Sequence, residues 1–242
     1  MSLHQIKGPV QNKEPSFLVR VASFQKGLAL VSITPDIEQW LKQAGYEYHC
    51  FISYPRVANK EMRECAQQVK QAIINDLSLS IDEPKVFLDE SSIPGGTAWE
   101  QKLKEALCQS VSMAALCAGI YYRPKHKWCG LEWAAMDSLC ERRLPGSHLR
   151  TIIPLIVKVE SSIPEVVLKT QCIDISSVML QGRRYFNTKE FRGRIKEVVR
   201  HIEAVAVAIA ANQARSNCKK FQFPTISAFT NWQPVEQPAP FY

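Results

Sequence analysis

Short apolar runs alternate with amphipathic stretches from residue 46 to about residue 212. The apolar runs predict five strands, and the stretches between them predict helices because their apolar positions recur every three or four residues. The predicted strands cover residues 48–54, 85–88, 111–118, 151–157 and 172–175. The main predicted helices cover residues 61–77, 97–109, 127–142 and 190–212. Pro154 interrupts the fourth strand, which favours a bulge or an edge position there.

The predicted strands are short, apolar on both faces and separated by helices, which is typical of a parallel sheet covered on both sides. We therefore predict an α/β fold, a flavodoxin-like doubly wound sheet of five parallel strands. Ligands of such sheets bind beyond the carboxyl ends of the strands. Here those ends lie at residues 53–54, 89, 118–119 and 157–158.

Residues 1–45 precede the predicted domain, which we place at residues 46–212. Residues 17–33 are apolar and fit either two short strands or a buried helix. A short helix over 35–43 should follow. A threonine stands at its N-cap and a proline in its first turn, and a glycine follows its C-terminal end.

Residues 213–242 form a tail with scattered prolines and isolated aromatic residues, without any period. The tail is either disordered or an extended arm that docks its aromatic side chains on another subunit.

The bulk composition is that of an ordinary globular protein, with 46% hydrophobic and 22% charged residues. The formal charge of +7 is spread along the chain, which favours a solvated surface. A weak attraction for anionic small molecules or nucleic acid is the alternative, although we expect no direct nucleic-acid binding. No run is long enough to span a bilayer and the first 15 residues lack the apolar core of a signal peptide, so we expect a cytoplasmic protein without membrane contact.

Eight cysteines are distributed along the chain without a C-x-x-C pair or an accompanying histidine cluster. This spacing argues against a zinc site, and we predict no metal ligands. Several of the cysteines lie inside apolar runs, where a thiol behaves as a small hydrophobic group. We therefore expect the cysteines to be reduced.

Trp128 and Glu132 provide the clearest indication of function. They stand four residues apart at the start of a predicted helix, which places the indole and the carboxylate on one face, one turn apart. A flat ring beside an acid can stack a base or a nicotinamide ring and hold a ribose. The alternatives are that Glu132 is a solvated helix residue and that Trp128 closes the edge of the sheet.

Four segments together resemble a known family: FISY (51–54), VFLDESSIPGG (86–96), WEQKLKEALCQS (99–110) and WCGLEW (128–133). In this order and at this spacing they resemble bacterial Toll/interleukin-receptor (TIR) domain proteins. The resemblance covers about residues 46–205 and implies the same flavodoxin-like fold. It does not extend to the first 45 residues or to the tail.

The resemblance implies one of two activities. Many bacterial and plant TIR domains cleave NAD+ at the nicotinamide–ribose bond, whereas animal receptor and adaptor TIR domains serve as assembly modules. We therefore expect an NAD+ glycohydrolase that releases nicotinamide and either ADP-ribose or a cyclic ADP-ribose isomer, in bacterial anti-phage defence. A non-catalytic assembly and signalling module is the first alternative, and an enzyme that transfers glycosyl groups of nucleosides or nucleotides is the second.

The family's enzymes also imply partners and a site. NAD+ is the expected substrate, and no cofactor is required. Active members assemble as homo-oligomers through TIR–TIR contacts. A partner protein of the defence system is also possible. The motif match gives the catalytic role to Glu132. The expected NAD-binding residues lie beside it and at the strand ends: Trp128, Phe51, Ser53, Tyr54, Arg56 and Asp89.

Two of these residues have specific expected roles. Arg56 would meet the pyrophosphate, and Pro55 stands where the enzymes often carry a second basic residue. Asp89 would border the ribose or fix the loop that follows it. The alternatives are that Arg56 is a surface cation and that Asp89 caps the following turn.

Two neighbours of Glu132 have structural interpretations. Cys129 has no histidine placed by sequence to activate it, so we predict a structural thiol. His126 lies between two lysines in a loop, so we expect a solvated side chain.

Overall fold

The structure is a computed structural model that describes six parts of the chain: residues 32–56, 60–89, 97–123, 126–158, 162–225 and 234–236. The prediction of strands or a helix over 17–33 lies outside these parts, except for its last two residues. The loop over 90–96 also lies outside them.

The described residues contain the strands β1 (Tyr48–Ser53), β2 (Val86–Leu88), β3 (Ser110–Cys117), β4 (Ile152–Ile156), β5 (Ser162–Pro164), β6 (Ile173–Asp174) and β7 (Pro234–Glu236). Five of them form one parallel sheet in the order β2-β1-β3-β4-β6. Nearly every residue of β1, β3 and β4 is buried, because helices cover both faces. The predicted five-stranded parallel fold is confirmed, and each of its strands ends within one residue of the prediction.

The α-helices of the described residues are α1 (Pro35–Gln43), α2 (Lys60–Leu77), α3 (Thr97–Cys108), α4 (Lys127–Arg143), α5 (Glu165–Leu168), α6 (Ser177–Gln181) and α7 (Lys189–Ala211). The helices α1, α2 and α7 pack on one face of the sheet, and α3 and α4 pack on the other. Short 3₁₀ helices cover Gly119–Tyr122, Gly182–Asn187 and Cys218–Lys220. Within the described residues, no helix combines the length and the apolar character that a bilayer crossing requires.

Pro154 lies in an inner strand that pairs with β3 without a break, so the predicted bulge or edge position is wrong. The amide of Val157 donates to the Cys117 carbonyl of β3, so by alternation Pro154 faces β6 instead. Pairing with β6 begins only at Leu155. The missing N–H of the proline therefore removes no hydrogen bond of the sheet.

The helix α1 belongs to the same core as the sheet. Thr34 Oγ1 accepts a hydrogen bond of 3.4 Å from the Ile37 amide, so the expected N-cap is confirmed. Gly45 has a φ of +89°, and a Cβ at this position would lie 2.6 Å from Ser216 Oγ. Ile37 and Leu41 are buried in the core, and α1 contacts α7.

A disulfide between Cys108 and Cys218 ties the end of α3 to the segment after α7. The expectation that the cysteines are all reduced is therefore wrong for this pair. The two positions lie 110 residues apart, so no local spacing indicates their pairing. Among the remaining cysteines, Cys172 is exposed and the other five are buried.

The first part of the tail packs on its own chain. Phe221 lies under the Arg142 guanidinium at 4.9 Å, and Phe223 lies 5.3 Å from the Lys104 ammonium. Neither of the two interpretations, disorder or docking on another subunit, describes residues 213–225. The remaining aromatic residues of the tail lie outside the described residues.

Candidate active site

Glu132 is a buried carboxylate at the carboxyl edge of the sheet. It lies in the first turns of α4, and only 3% of its surface is exposed. Ser53, the last residue of β1, donates a hydrogen bond of 2.5 Å to Glu132 Oε2. Arg56 Nη2 lies 3.8 Å from the other carboxylate oxygen. The alternative of a solvated helix residue is therefore wrong.

Arg56 is held in place from three directions. Its Nη1 lies 2.7 Å from Asp89 Oδ2, and the same oxygen accepts a hydrogen bond of 2.6 Å from Trp99 Nε1. The guanidinium also lies 3.9 Å above the Trp99 ring, which is cation–π geometry. Arg56 is thus a bridge between Asp89 and Glu132, and the alternative of a surface cation is wrong.

Trp128 forms an aromatic wall beside these ionic contacts. Its ring meets the Trp99 ring edge-on at 4.9 Å and the Phe223 ring at 6.3 Å. The side chain is half-buried. Trp99, in the first turn of α3, thereby joins this wall to the Arg56–Asp89 pair.

Tyr121 lies behind Ser53 in the 3₁₀ helix that follows β3. Its hydroxyl lies 2.7 Å from Ser53 Oγ and 3.4 Å from the Cys129 carbonyl oxygen. Because the Tyr121 ring is fully buried, this contact fixes the serine hydroxyl that donates to Glu132. We call the assembly the Glu132 site, and its members are Ser53, Arg56, Asp89, Trp99, Tyr121, Trp128 and Glu132.

Burial controls the protonation of this site. Loss of solvent raises the pKa of Glu132 from 4.5 to about 7, although Arg56 and Ser53 oppose the shift. Burial also raises the pKa of the Cys129 thiol well above its ordinary value. Cys129 is therefore neutral at physiological pH, which agrees with a structural role.

Two predicted site residues lie outside this group. Phe51 is 1% exposed and stacks on Phe87 at 5.1 Å within the core, so it packs below the site. Tyr54 is buried in the core on the opposite face of the sheet, and its hydroxyl donates to the Asp89 carbonyl oxygen at 3.1 Å. Both residues support the strand end that carries Ser53.

His126 is buried, so the expected solvated side chain is wrong. Its amide donates to the Arg123 carbonyl, directly before the start of α4. The charges of the neighbouring lysines do not indicate that His126 is buried.

Trp99 and Tyr121 are site members that the sequence does not predict. The available signal was their position, because each lies within a few residues of the loop that follows a strand of the parallel sheet. The sequence places Trp99 in a predicted helix and in a segment of the family resemblance, but assigns neither Trp99 nor Tyr121 to the site.

The Glu132 site offers groups for an organic ligand. Arg56 Nη2 is buried and makes no hydrogen bond to the described part of the chain, which leaves a donor for a ribose or phosphate oxygen. Trp99 and Trp128 provide flat apolar surface beside it. The described residues include no group of three or more side chains that could hold a metal ion.

A family model described as "TIR domain" matches residues 50–185, which is more than half of the chain. The chain belongs to the TIR domain family. Among curated proteins, none matches the chain. The matched range includes the five strands of the parallel sheet from the third residue of β1 onward, and it includes all members of the Glu132 site. The Glu132 site therefore belongs to the TIR domain itself and not to its flanking segments.

Proposed function

We propose that this TIR domain cleaves NAD+ at the nicotinamide–ribose bond, with Glu132 as the catalytic carboxylate. The observation that carries the proposal is the burial of Glu132 at the carboxyl edge of the sheet, against Ser53 and beside an aromatic wall. A surface carboxylate would be screened by water, whereas a buried one interacts strongly with a positive charge.

The chemistry requires one carboxylate and no acid. Nicotinamide leaves as a neutral molecule, so its departure needs no proton. The barrier lies in the oxocarbenium-like ribosyl centre, whose positive charge Glu132 would stabilise. Water then attacks that centre and releases one proton to the solvent, which gives ADP-ribose. Attack by a nucleophilic atom of the same substrate gives a cyclic isomer instead.

The charge of the substrate also suits the carboxyl group. The pyridinium ring of NAD+ is cationic, so its approach favours the ionised form of a group whose pKa is about 7. Trp128 would stack a ring of the substrate, and Arg56 Nη2 would donate to a phosphate or ribose oxygen. Asp89 would act through Arg56, which it holds.

The test is the release of nicotinamide from NAD+ by the purified full chain, followed by chromatography. We expect Glu132→Gln to lower the rate by at least about a hundredfold, since the substitution removes the charge and keeps the shape. Glu141→Gln is the matched control, because Glu141 lies on the same helix but is exposed. Equal turnover by wild type and Glu132→Gln would remove Glu132 from the mechanism.

A non-catalytic assembly module is the second candidate, and the closed state of the site favours it. Glu132 is 3% exposed and Arg56 lies over one of its oxygens, so a substrate must displace part of this arrangement.

TIR domains commonly self-associate, and we propose that a homo-oligomer opens or completes the pocket. The assay therefore spans a wide range of protein concentration. Absence of turnover throughout, in a chain that still self-associates, would favour the assembly module.

The finer assignments are also proposals. Free nucleosides in the same assay distinguish NAD+ cleavage from a broader glycosyl transfer. A place in bacterial anti-phage defence, with a partner protein of that system, rests on the family resemblance and needs an infection assay.

A further inference from the structure

A ligand-sized space lies on the opposite side of the sheet from Glu132. It is a cavity of about 700 Å³ at the carboxyl ends of β3 and β4, between the start of α2 and the α6 region. We call it the α2-side cavity. Its apolar floor includes Ala118, Val157 and Val178, which belong to the core under α2 and α7. Cys129 and Trp128 belong to the other core, under α3 and α4.

Basic side chains from four separate parts of the chain line this cavity: Lys60, Arg123, Lys158 and Arg183. Among the described lining residues, Glu61 and Glu64 are the acidic ones, so this part of the lining carries a net charge of +2 at neutral pH. Glu64 is already engaged, because Arg183 donates to both of its carboxylate oxygens at 2.9 and 2.6 Å. The basic side chains outnumber the acidic ones in the described lining, which therefore favours an anionic ligand.

The size and the lining together indicate the class of ligand. Small-molecule sites typically span about 300–1,000 Å³, and a single phosphate would leave most of this cavity empty. The apolar floor and the Phe186 side chain suit a flat or apolar body, whereas the basic rim suits phosphate groups. The carboxyl edge of a doubly wound sheet is also where such ligands bind.

We propose that the α2-side cavity is a second binding site, which takes a phosphate-bearing ligand of nucleotide size independently of the Glu132 site. The positive charge of the described lining attracts the negative charge of a diphosphate. The apolar floor suits the base or sugar attached to that diphosphate. This site needs no NAD+ cleavage, so it stands whether or not Glu132 is catalytic.

The test is calorimetric titration of the full chain with ADP, with inorganic phosphate and adenosine as separate probes. We expect ADP to bind more tightly than either fragment. The double variant Arg123→Glu, Lys158→Glu should weaken ADP binding by at least about tenfold, because attraction becomes repulsion. The matched control, Arg192→Glu with Lys196→Glu, changes the charge equally at exposed positions of α7 that do not line the cavity.

Two further variants make the result decisive. Lys60→Glu changes a rim side chain that is 81% exposed, so it tests the cavity without destabilising the fold. Glu132→Gln is the second variant, because Glu132 does not line the cavity. The proposal is overturned if ADP does not bind, if inorganic phosphate binds as tightly as ADP, or if Glu132→Gln abolishes binding that the cavity variants retain.

Discussion

Arg56 lies between two carboxylates, those of Asp89 and Glu132. It is closer to Asp89, at 2.7 Å, than to Glu132, at 3.8 Å. Loss of solvent therefore dominates at Glu132, and the pKa of this carboxyl stays near 7 in spite of the guanidinium. A carboxyl in this state changes charge within the physiological range, so Arg56 and an incoming ligand together determine whether it is ionised.

The first prediction concerns the pH dependence of NAD+ cleavage. Only the ionised form of Glu132 can stabilise a ribosyl cation, and the raised pKa means that this form appears as pH rises through about 7. The kcat/KM should therefore increase across this range and level off above it, because kcat/KM reports the free enzyme. A rate profile measured by nicotinamide release tests this expectation.

Two substitutions of Arg56 test how its charge affects this pH dependence. Arg56→Met removes the charge that opposes the shift, so it should move the inflection of kcat/KM to higher pH. Arg56→Lys keeps the charge and should leave the inflection close to that of the wild type. A wild-type profile that is flat or that falls between about pH 6 and about pH 8 would contradict the assignment of Glu132 as the ionised catalytic group.

At the scale of elements, the ends of α3 and α4 meet at the start of β3, and Arg143 joins them. This buried side chain donates through Nη1 to the Ser110 carbonyl at 2.8 Å and through Nη2 to the Cys108 carbonyl. Cys108 is the last residue of α3, so its carbonyl has no partner inside the helix. The guanidinium also lies 4.9 Å over the Tyr46 ring.

We expect Arg143→Met to lower the free energy of unfolding by about 3 kcal/mol, because two buried carbonyls lose their donor. Denaturant unfolding followed by circular dichroism measures this change. Arg142→Met is the matched control, since the neighbouring side chain is exposed and only stacks on Phe221. Its cost should stay below about 1 kcal/mol. If the two variants lower the free energy of unfolding by the same amount, the hydrogen bonds of Arg143 do not stabilise the fold.

At the scale of the whole molecule, local patterns predicted the elements well and contacts between distant segments poorly. The strands and helices followed from apolar periodicity, which acts over a few residues. Glu132 was identified because Trp128 stands on the same helical face, and because its motif matches the family. Its hydrogen bond to Ser53 spans 79 positions, and Tyr121 and Trp99 reach the site only through the strand order. No periodicity encodes such contacts, so the sequence does not predict that these two residues belong to the site.

The bond between Cys108 and Cys218 is a covalent constraint between distant segments, and it sets the last prediction. It closes a loop of 110 residues and holds Phe223 beside Trp128. Such a cross-link restricts the unfolded chain, so Cys218→Ser should lower the free energy of unfolding by about 2–5 kcal/mol under non-reducing conditions. Reductant should bring the wild type to the same value, whereas Cys172→Ser, at an exposed free cysteine, should behave as wild type. If Cys218→Ser unfolds at the same denaturant concentration as the oxidised wild type, the disulfide does not stabilise the fold.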